Sequence, residues 1–187
     1  YKRQGKMGFE IAKAAANLGA EVILISGPSN QHVNHSHIHL IKVQSAQQMY
    51  DACHKHYKHS DIAILSAAVA DYKPKNVASQ KIKKKDTTLT IELEKTKDIL
   101  KSLGAIKKEQ FLVGFALETT NELAYAKGKL ESKNLDLIVL NSLNDKGAGF
   151  GGSTNKVTFI TASHDIIAHE LKSVSYTHLR AHETQLH

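Results

Sequence analysis

The sequence predicts an α/β fold: a mostly parallel sheet, helices on both faces, and a charged β-hairpin standing off it. Three observations predict it. Short apolar runs alternate with amphipathic helical stretches along the chain, which is the pattern of strand–helix–strand crossovers. Several of those runs are apolar without a break, as strands buried on both faces are. Each also ends in small or polar residues, at the strand ends where open parallel sheets bind ligands.

Size and charge narrow the reading further. The chain has 187 residues, a formal net charge of +7, 41% hydrophobic residues and one cysteine, Cys53. That length supports one domain with a substantial core. No apolar run reaches the roughly 18 residues of a membrane span. The opening YKRQGKMG lacks the apolar segment of a signal peptide. A single cysteine forms no intrachain disulfide, which fits a reducing, cytoplasmic setting. The positive charge suits nucleic acid or small phosphorylated substrates. The lysines concentrate in 73–85 and 95–108 with no aromatic residue between them. That argues against a base-stacking surface, so neither a nucleic-acid nor a membrane partner is expected.

In chain order, Gly5-Lys6-Met7-Gly8 opens a helix whose Phe9, Ile11, Ala12, Ala15 and Leu18 recur at helical spacing, and Gly19 closes it. Its glycine-rich first turn offers backbone N–H groups to an anion, or simply makes a tight entry. Glu21 to Ser26 is a buried strand leading into Gly27-Pro28, and Ile38 to Val43 is a second strand. Ser45 caps a helix to about Tyr57, with Met49, Ala52, Cys53 and His56 on one face. His32, His35, His37 and His39 cluster, as do His54, His56 and His59. Without a CxxC or HExxH frame they read as surface histidines rather than metal ligands.

Asp61 to Leu65 is the third strand, and it delivers the chain into Ser66-Ala67-Ala68-Val69-Ala70-Asp71. Small residues there let a backbone approach a ligand closely. Asp71 is placed to hold a magnesium ion, to accept from a ligand amine, or to cap a turn. Lys81, Lys83 and Lys85 alternate with other residues, as do Leu89, Ile91 and Leu93. The pair predicts a hairpin turning at Lys85–Thr87, either a solvated arm or a phosphate-binding flap. Thr96 caps a helix through about Lys107, with Ile99, Leu100, Leu103 and Ile106 inward. Phe111 to Phe115 is a fourth strand, ending in the loop Ala116–Thr120. A helix from Asn121 to Lys133 carries Lys127, Lys129 and Lys133, and Leu135 to Leu140 is a fifth strand. The glycine-rich loop 147–152 lacks a Lys-Ser ending, so it is not a P-loop. Val157 to Thr161 is the last strand, followed by a short amphipathic helix from Asp165 to Leu171. Residues 173–187 have no apolar period and read as an appended, artefactual tail.

Several segments together resemble one family: GKMG (5–8), SGPSN (26–30), SAAVADYKP (66–74), KIKK (81–84), GFALET (114–119), AKGKLESKNLDLIVLN (126–141) and GFGGSTN (149–155). In order and spacing they are similar to phosphopantothenoylcysteine synthetase, the second activity of the bacterial bifunctional coenzyme A biosynthesis flavoprotein. The resemblance spans about residues 5 to 172. It implies a Rossmann-like three-layer domain over 1–172 that lacks the family's first strand, and a longer parent chain with a decarboxylase domain. The family's asparagine before GKMG also has no counterpart in Tyr1-Lys2-Arg3-Gln4.

The resemblance implies a reaction as well. The family joins 4′-phosphopantothenate to L-cysteine, using CTP and magnesium through an acyl-cytidylate. A fragment without the first strand reduces, as the alternative, to a non-catalytic nucleotide-binding or dimerisation module. Lys81 matches the family's catalytic lysine at the triphosphate. Ala67, Ala68, Ala70 and Asp71 match its nucleotide loop, with Asp71 as the metal candidate. Phe115 matches a residue beside the nucleotide, and Lys129 and Lys133 match helix lysines near the triphosphate. Phe150 and Asn155 match the loop that closes over it. The family is a homodimer whose flap reaches toward the neighbouring subunit.

Overall fold

The computed structural model describes residues 5–82, 88–142, 154–169 and 172–173. Their elements run α1 (Lys6–Asn17), β1 (Val22–Ser26), β2 (Ile38–Lys42), α2 (Ala46–Tyr57), β3 (Ile62–Leu65), β4 (Tyr72–Pro74), β5 (Leu93–Lys95), α3 (Ile99–Ile106), β6 (Phe111–Glu118), α4 (Glu122–Ser132), β7 (Leu137–Ser142), β8 (Thr154–Asn155), β9 (Val157–Thr161), β10 (Ile166–Ala168) and β11 (Lys172–Ser173). The predicted α/β class holds. A five-stranded sheet has the order β10-β9-β7-β6-β3. β3, β6 and β7 are parallel, and β9 and β10 continue antiparallel.

Side-chain alternation splits the core between the sheet's two faces. Leu112 and Ala116 of β6, Ile138 and Leu140 of β7, and Ile160 of β9 join Tyr57, Ile99, Leu103, Ala126 and Leu130 from α2, α3 and α4. Burying each such leucine or isoleucine contributes about 1.5–3 kcal/mol. The intervening residues Val113, Val139 and Val157 cluster on the other face with Phe115, Leu137 and Phe159.

Two glycines set how close the layers come. A Cβ on Gly104 of α3 would lie 1.9 Å from the Lys133 carbonyl oxygen, so α3 rests directly on the end of α4. A Cβ on Gly114 of β6 would lie 2.8 Å from both Leu100 and Leu135. Below them Asp136 ties three segments together. It accepts from Lys107 Nζ at 2.9 and 3.0 Å and from the Leu112 amide at 2.7 Å. Its own carbonyl accepts from the Ala162 amide at 2.9 Å.

The structure corrects the sequence reading in five places. β1 and β2 form a separate parallel pair, not paired with β3, and Ile23, Ile62 and Ile64 are left exposed. The arm is antiparallel at its base, where β4 pairs β5. Ion pairs Lys73–Glu94 at 3.0 Å and Lys75–Glu92 at 2.7 Å zip that base. Leu89 and Ile91 are not in a strand, because no apolar layer faces them and they lie in solvent. The expected turn at Lys85–Thr87 and the lysines Lys83, Lys84 and Lys85 lie outside the described residues. α3 is capped by Asp98, not Thr96, and β6 continues as strand through Glu118 rather than looping out at Ala116.

The fifth correction is the last helix, which is the strand β10. Thr161 and Asp165 close a tight turn, with the Thr161 amide donating to the Asp165 carbonyl at 3.1 Å and His164 at φ 68°. The turn swings Ile166 opposite Ile160. Two adjacent isoleucines suit a strand better than one turn of helix.

Candidate functional site

The site is built on the loop after β3. Val69 packs against the core and its amide reaches the Ala67 carbonyl at 3.2 Å. That anchor leaves Ala67, Ala68 and Ala70 exposed, as a backbone offered to a ligand would be. Ser66 meets α1: a Cβ on Gly8 would lie 3.2 Å from its Oγ. The entry to α1 is itself shaped by Gly5, whose φ of 85° suits glycine and whose added Cβ would sit 3.0 Å from Ser29 Oγ.

The far end of the loop is stitched to the start of α3. Thr96 Oγ1 donates to the Ala70 carbonyl at 2.7 Å, and the Thr96 amide donates to the Asp71 carbonyl at 2.9 Å. Two residues on, Asp98 caps α3 by accepting from the Lys101 amide at 3.0 Å. Asp98 also pairs with Lys133 Nζ at 2.8 Å. Partial burial opposes ionisation of Asp98, but the Lys101 amide and the Lys133 ammonium outweigh it and hold the carboxyl below its ordinary value. Lys129, one helical turn earlier on α4, pairs with Glu118 at the end of β6 at 2.5 Å. A cleft of about 360 Å³ runs along α4, lined by Glu118, Ala124, Tyr125, Gly128, Lys129 and Ser132.

The loop alanines, Asp71 and Lys133 are thus linked through the Thr96–Asp98 segment, and Lys129 lies next to Lys133 on the same helix. Other expected residues are not drawn in. Lys81 is exposed on the arm, outside any strand. Phe115 packs with Val113 and Val139 on the sheet face opposite Ala116 and Leu130, so it does not face the α3–α4 side. Phe150 lies outside the described residues. The backbone of Asn155 belongs to β8, opposite Lys172.

Sequence reasoning missed Thr96 as a stitch and Asp98 and Glu118 as lysine partners. The signal for Asp98 was present, an aspartate directly before the apolar run of α3. Nothing local marks Glu118, which meets Lys129 only because α4 folds back on β6.

Burial pushes the Cys53 thiol up to about 11, so it is no nucleophile at neutral pH. Among the described residues no group of three or more His, Cys, Asp or Glu could hold a metal. A magnesium ion carried by phosphates needs only one or two carboxylates and keeps waters, and the exposed Asp71 side chain fits that lesser demand. No helix among the described residues is long and apolar enough to cross a membrane.

Residues 2–179 match the family model of the DNA/pantothenate metabolism flavoprotein C-terminal domain. The chain is 54% identical over 157 residues to the coenzyme A biosynthesis bifunctional protein CoaBC of Bacillus subtilis (strain 168), covering 84% of this chain and 39% of that protein. It is 48% identical over 170 residues to a cysteine/cysteine sulfinic acid decarboxylase from an unknown prokaryotic organism, covering 90% of this chain and 47% of that one. The chain therefore spans less than half the length of these relatives. A crystal structure of the C-terminal domain of CoaBC matches with a TM-score of 0.78 at 42% identity, over 94% of this chain and 78% of that one.

Proposed function

The chain belongs to the DNA/pantothenate metabolism flavoprotein C-terminal domain family, and from that premise we propose that it is the part of a ligase that joins 4′-phosphopantothenate to L-cysteine. The carboxylate of phosphopantothenate attacks the α-phosphorus of CTP, and pyrophosphate leaves. The cysteine amine then attacks the acyl carbon of the cytidylate, and CMP leaves with the carboxylate oxygen. The observation that carries the reading is the junction at α3, where the alanine loop, Asp71 and Lys133 are tied together through Thr96 and Asp98.

In this reading each group has a physical task. The exposed alanines let the nucleotide lie against the backbone. Lys129 and Lys133 exchange their carboxylate partners for phosphate oxygens. Lys81 approaches on the arm and offsets the charge that develops as pyrophosphate departs. Asp71, with the phosphates, would hold magnesium, which supplies charge neutralisation when bound. Phe150 and Asn155 belong to the segment assigned to closing the site.

The arm supports a homodimer. Tyr72, Ile82, Leu89, Ile91 and Leu93 are exposed on it, and Val77 is 84% exposed. Isolated apolar side chains in solvent are ordinary, but a set of them on one arm marks an interaction surface. The part of the relatives that this chain does not cover leaves room for a decarboxylase domain. The whole assembly would work in the cytoplasm, where coenzyme A precursors are made.

One observation favours a second reading. β1–β2 stands apart from the main sheet, so this span by itself would bind nucleotide without completing the reaction. Pyrophosphate release, measured with phosphopantothenate and each of the four nucleoside triphosphates, separates the two. Release with CTP supports the ligase. CTP binding without release supports the module, and neither result would be expected of an unrelated activity.

A further inference from the structure

A stack of side chains between α2 and α3 has no part in the reaction described above. The Lys97 ammonium sits 4.5 Å above the centre of the Tyr50 ring. The Tyr50 ring lies on His54, with centroids 4.2 Å apart and planes 28° from parallel. His54 Nε2 is 2.9 Å from Ser102 Oγ, and Ser102 Oγ donates to the Ile99 carbonyl at 2.7 Å. A hydroxyl has one proton and here the carbonyl takes it, so His54 must donate from Nε2. That fixes the imidazole tautomer and its ring plane. The stack is closed at both ends on α3, through Ser102 within the helix and Lys97 just before its cap.

The cations around this helix entrance differ in one respect. Lys129 and Lys133 are already neutralised by Glu118 and Asp98. Among the described residues no carboxylate pairs with Lys97, although its neighbour Asp98 pairs with Lys133. An aromatic face holds a cation without cancelling its charge. Lys97 also follows Thr96 directly, and Thr96 is the residue that grips the loop carbonyls of Ala70 and Asp71.

We propose that Lys97 is a phosphate-binding residue of the nucleotide site and that Tyr50, seated on His54, is the positioning residue that holds it there. The proposal rests on the nucleotide reading of that site. Its expected size is modest, because one exposed ammonium on a polyphosphate contributes about a factor of ten.

The test is CTP binding measured by titration calorimetry on the same chain, with thermal melts to confirm that each variant folds. Lys97→Met is expected to weaken CTP roughly 5–10-fold. Tyr50→Leu is expected to weaken it similarly, and the double variant no further, because both act through one ammonium. Tyr50→Phe keeps the ring face and is expected to bind like the parent. An unchanged affinity in Lys97→Met, with CTP still bound by the parent, would overturn this inference alone. Additive losses in the double variant would overturn the role of Tyr50. A parent chain that binds no CTP would overturn the nucleotide reading and this inference with it.

Discussion

The α3–α4 wall and the arm of residues 72–95 carry the same kind of charge and hold it in opposite ways. On the wall, Lys107 meets Asp136, Lys129 meets Glu118 and Lys133 meets Asp98, against a helix pair close enough that Gly104 admits no Cβ. On the arm, the ion pairs Lys73–Glu94 and Lys75–Glu92 hold the base, and farther out Val77, Ile82, Leu89 and Ile91 face solvent. The wall is finished by its own packing. The arm has the composition of something completed by a ligand, a second subunit, or both. Lysine count alone does not separate the two regions; among the described residues, what separates them is whether a packed layer lies opposite.

The sharpest way to break the wall is Gly104→Val. Its Cβ would run into the Lys133 carbonyl, which is backbone and has nowhere to move. The expected loss is above ~3 kcal/mol, seen as a large drop in melting temperature or as failure to fold. Lys81→Gln tests the arm by its chemistry. In the intact enzyme it is expected to lower pyrophosphate release by about 10²–10³-fold while the melting temperature stays put. Parent-like release would sever Lys81 from the reaction.

Ile91→Asp tests the arm as an interface. It places a charge in the exposed apolar set, so sedimentation is expected to shift from dimer toward monomer with the fold intact. An unchanged sedimentation coefficient would remove the arm from the proposed subunit interface. The smallest effect is on the wall side, at His54. Burial lowers its pKa from the ordinary 6.5, with Lys97 adding to the lowering and Asp51 opposing it. The unfolded chain then takes up a proton first, so stability is full above about pH 6.5 and falls as pH drops below it. His54→Gln is expected to flatten that part of a denaturation-versus-pH curve, by less than any change above.

The strands and helices of the core were legible because local period and tertiary role agree there. Ser45 with Gln48 forms the capping box its spacing implies, and Val157–Thr161 is a strand within the predicted bounds. The loop Ser66–Asp71 was legible from the small residues that follow an apolar run, although β3 itself leaves Ile62 and Ile64 exposed. What was not legible depends on long-range pairing. β10 looked helical over seven residues and became a strand because Ile160 lies opposite Ile166. Thr96 looked like a cap, but its hydroxyl is taken by a carbonyl 26 residues away. Strand alternation sets Phe115 with Val139 on the face opposite the helix that carries Lys129, a placement that resemblance alone does not give.

In the proposed reaction the carboxylate attacks the α-phosphorus of a nucleotide held between wall and arm. This step is tested most directly by following oxygen. Phosphopantothenate labelled with ¹⁸O in its carboxyl group is incubated with the intact enzyme, CTP and cysteine, and the products are weighed by mass spectrometry. One labelled oxygen is expected in CMP and none in pyrophosphate. Label in inorganic phosphate with CDP as the other product, or unlabelled CMP alongside the amide, would contradict it.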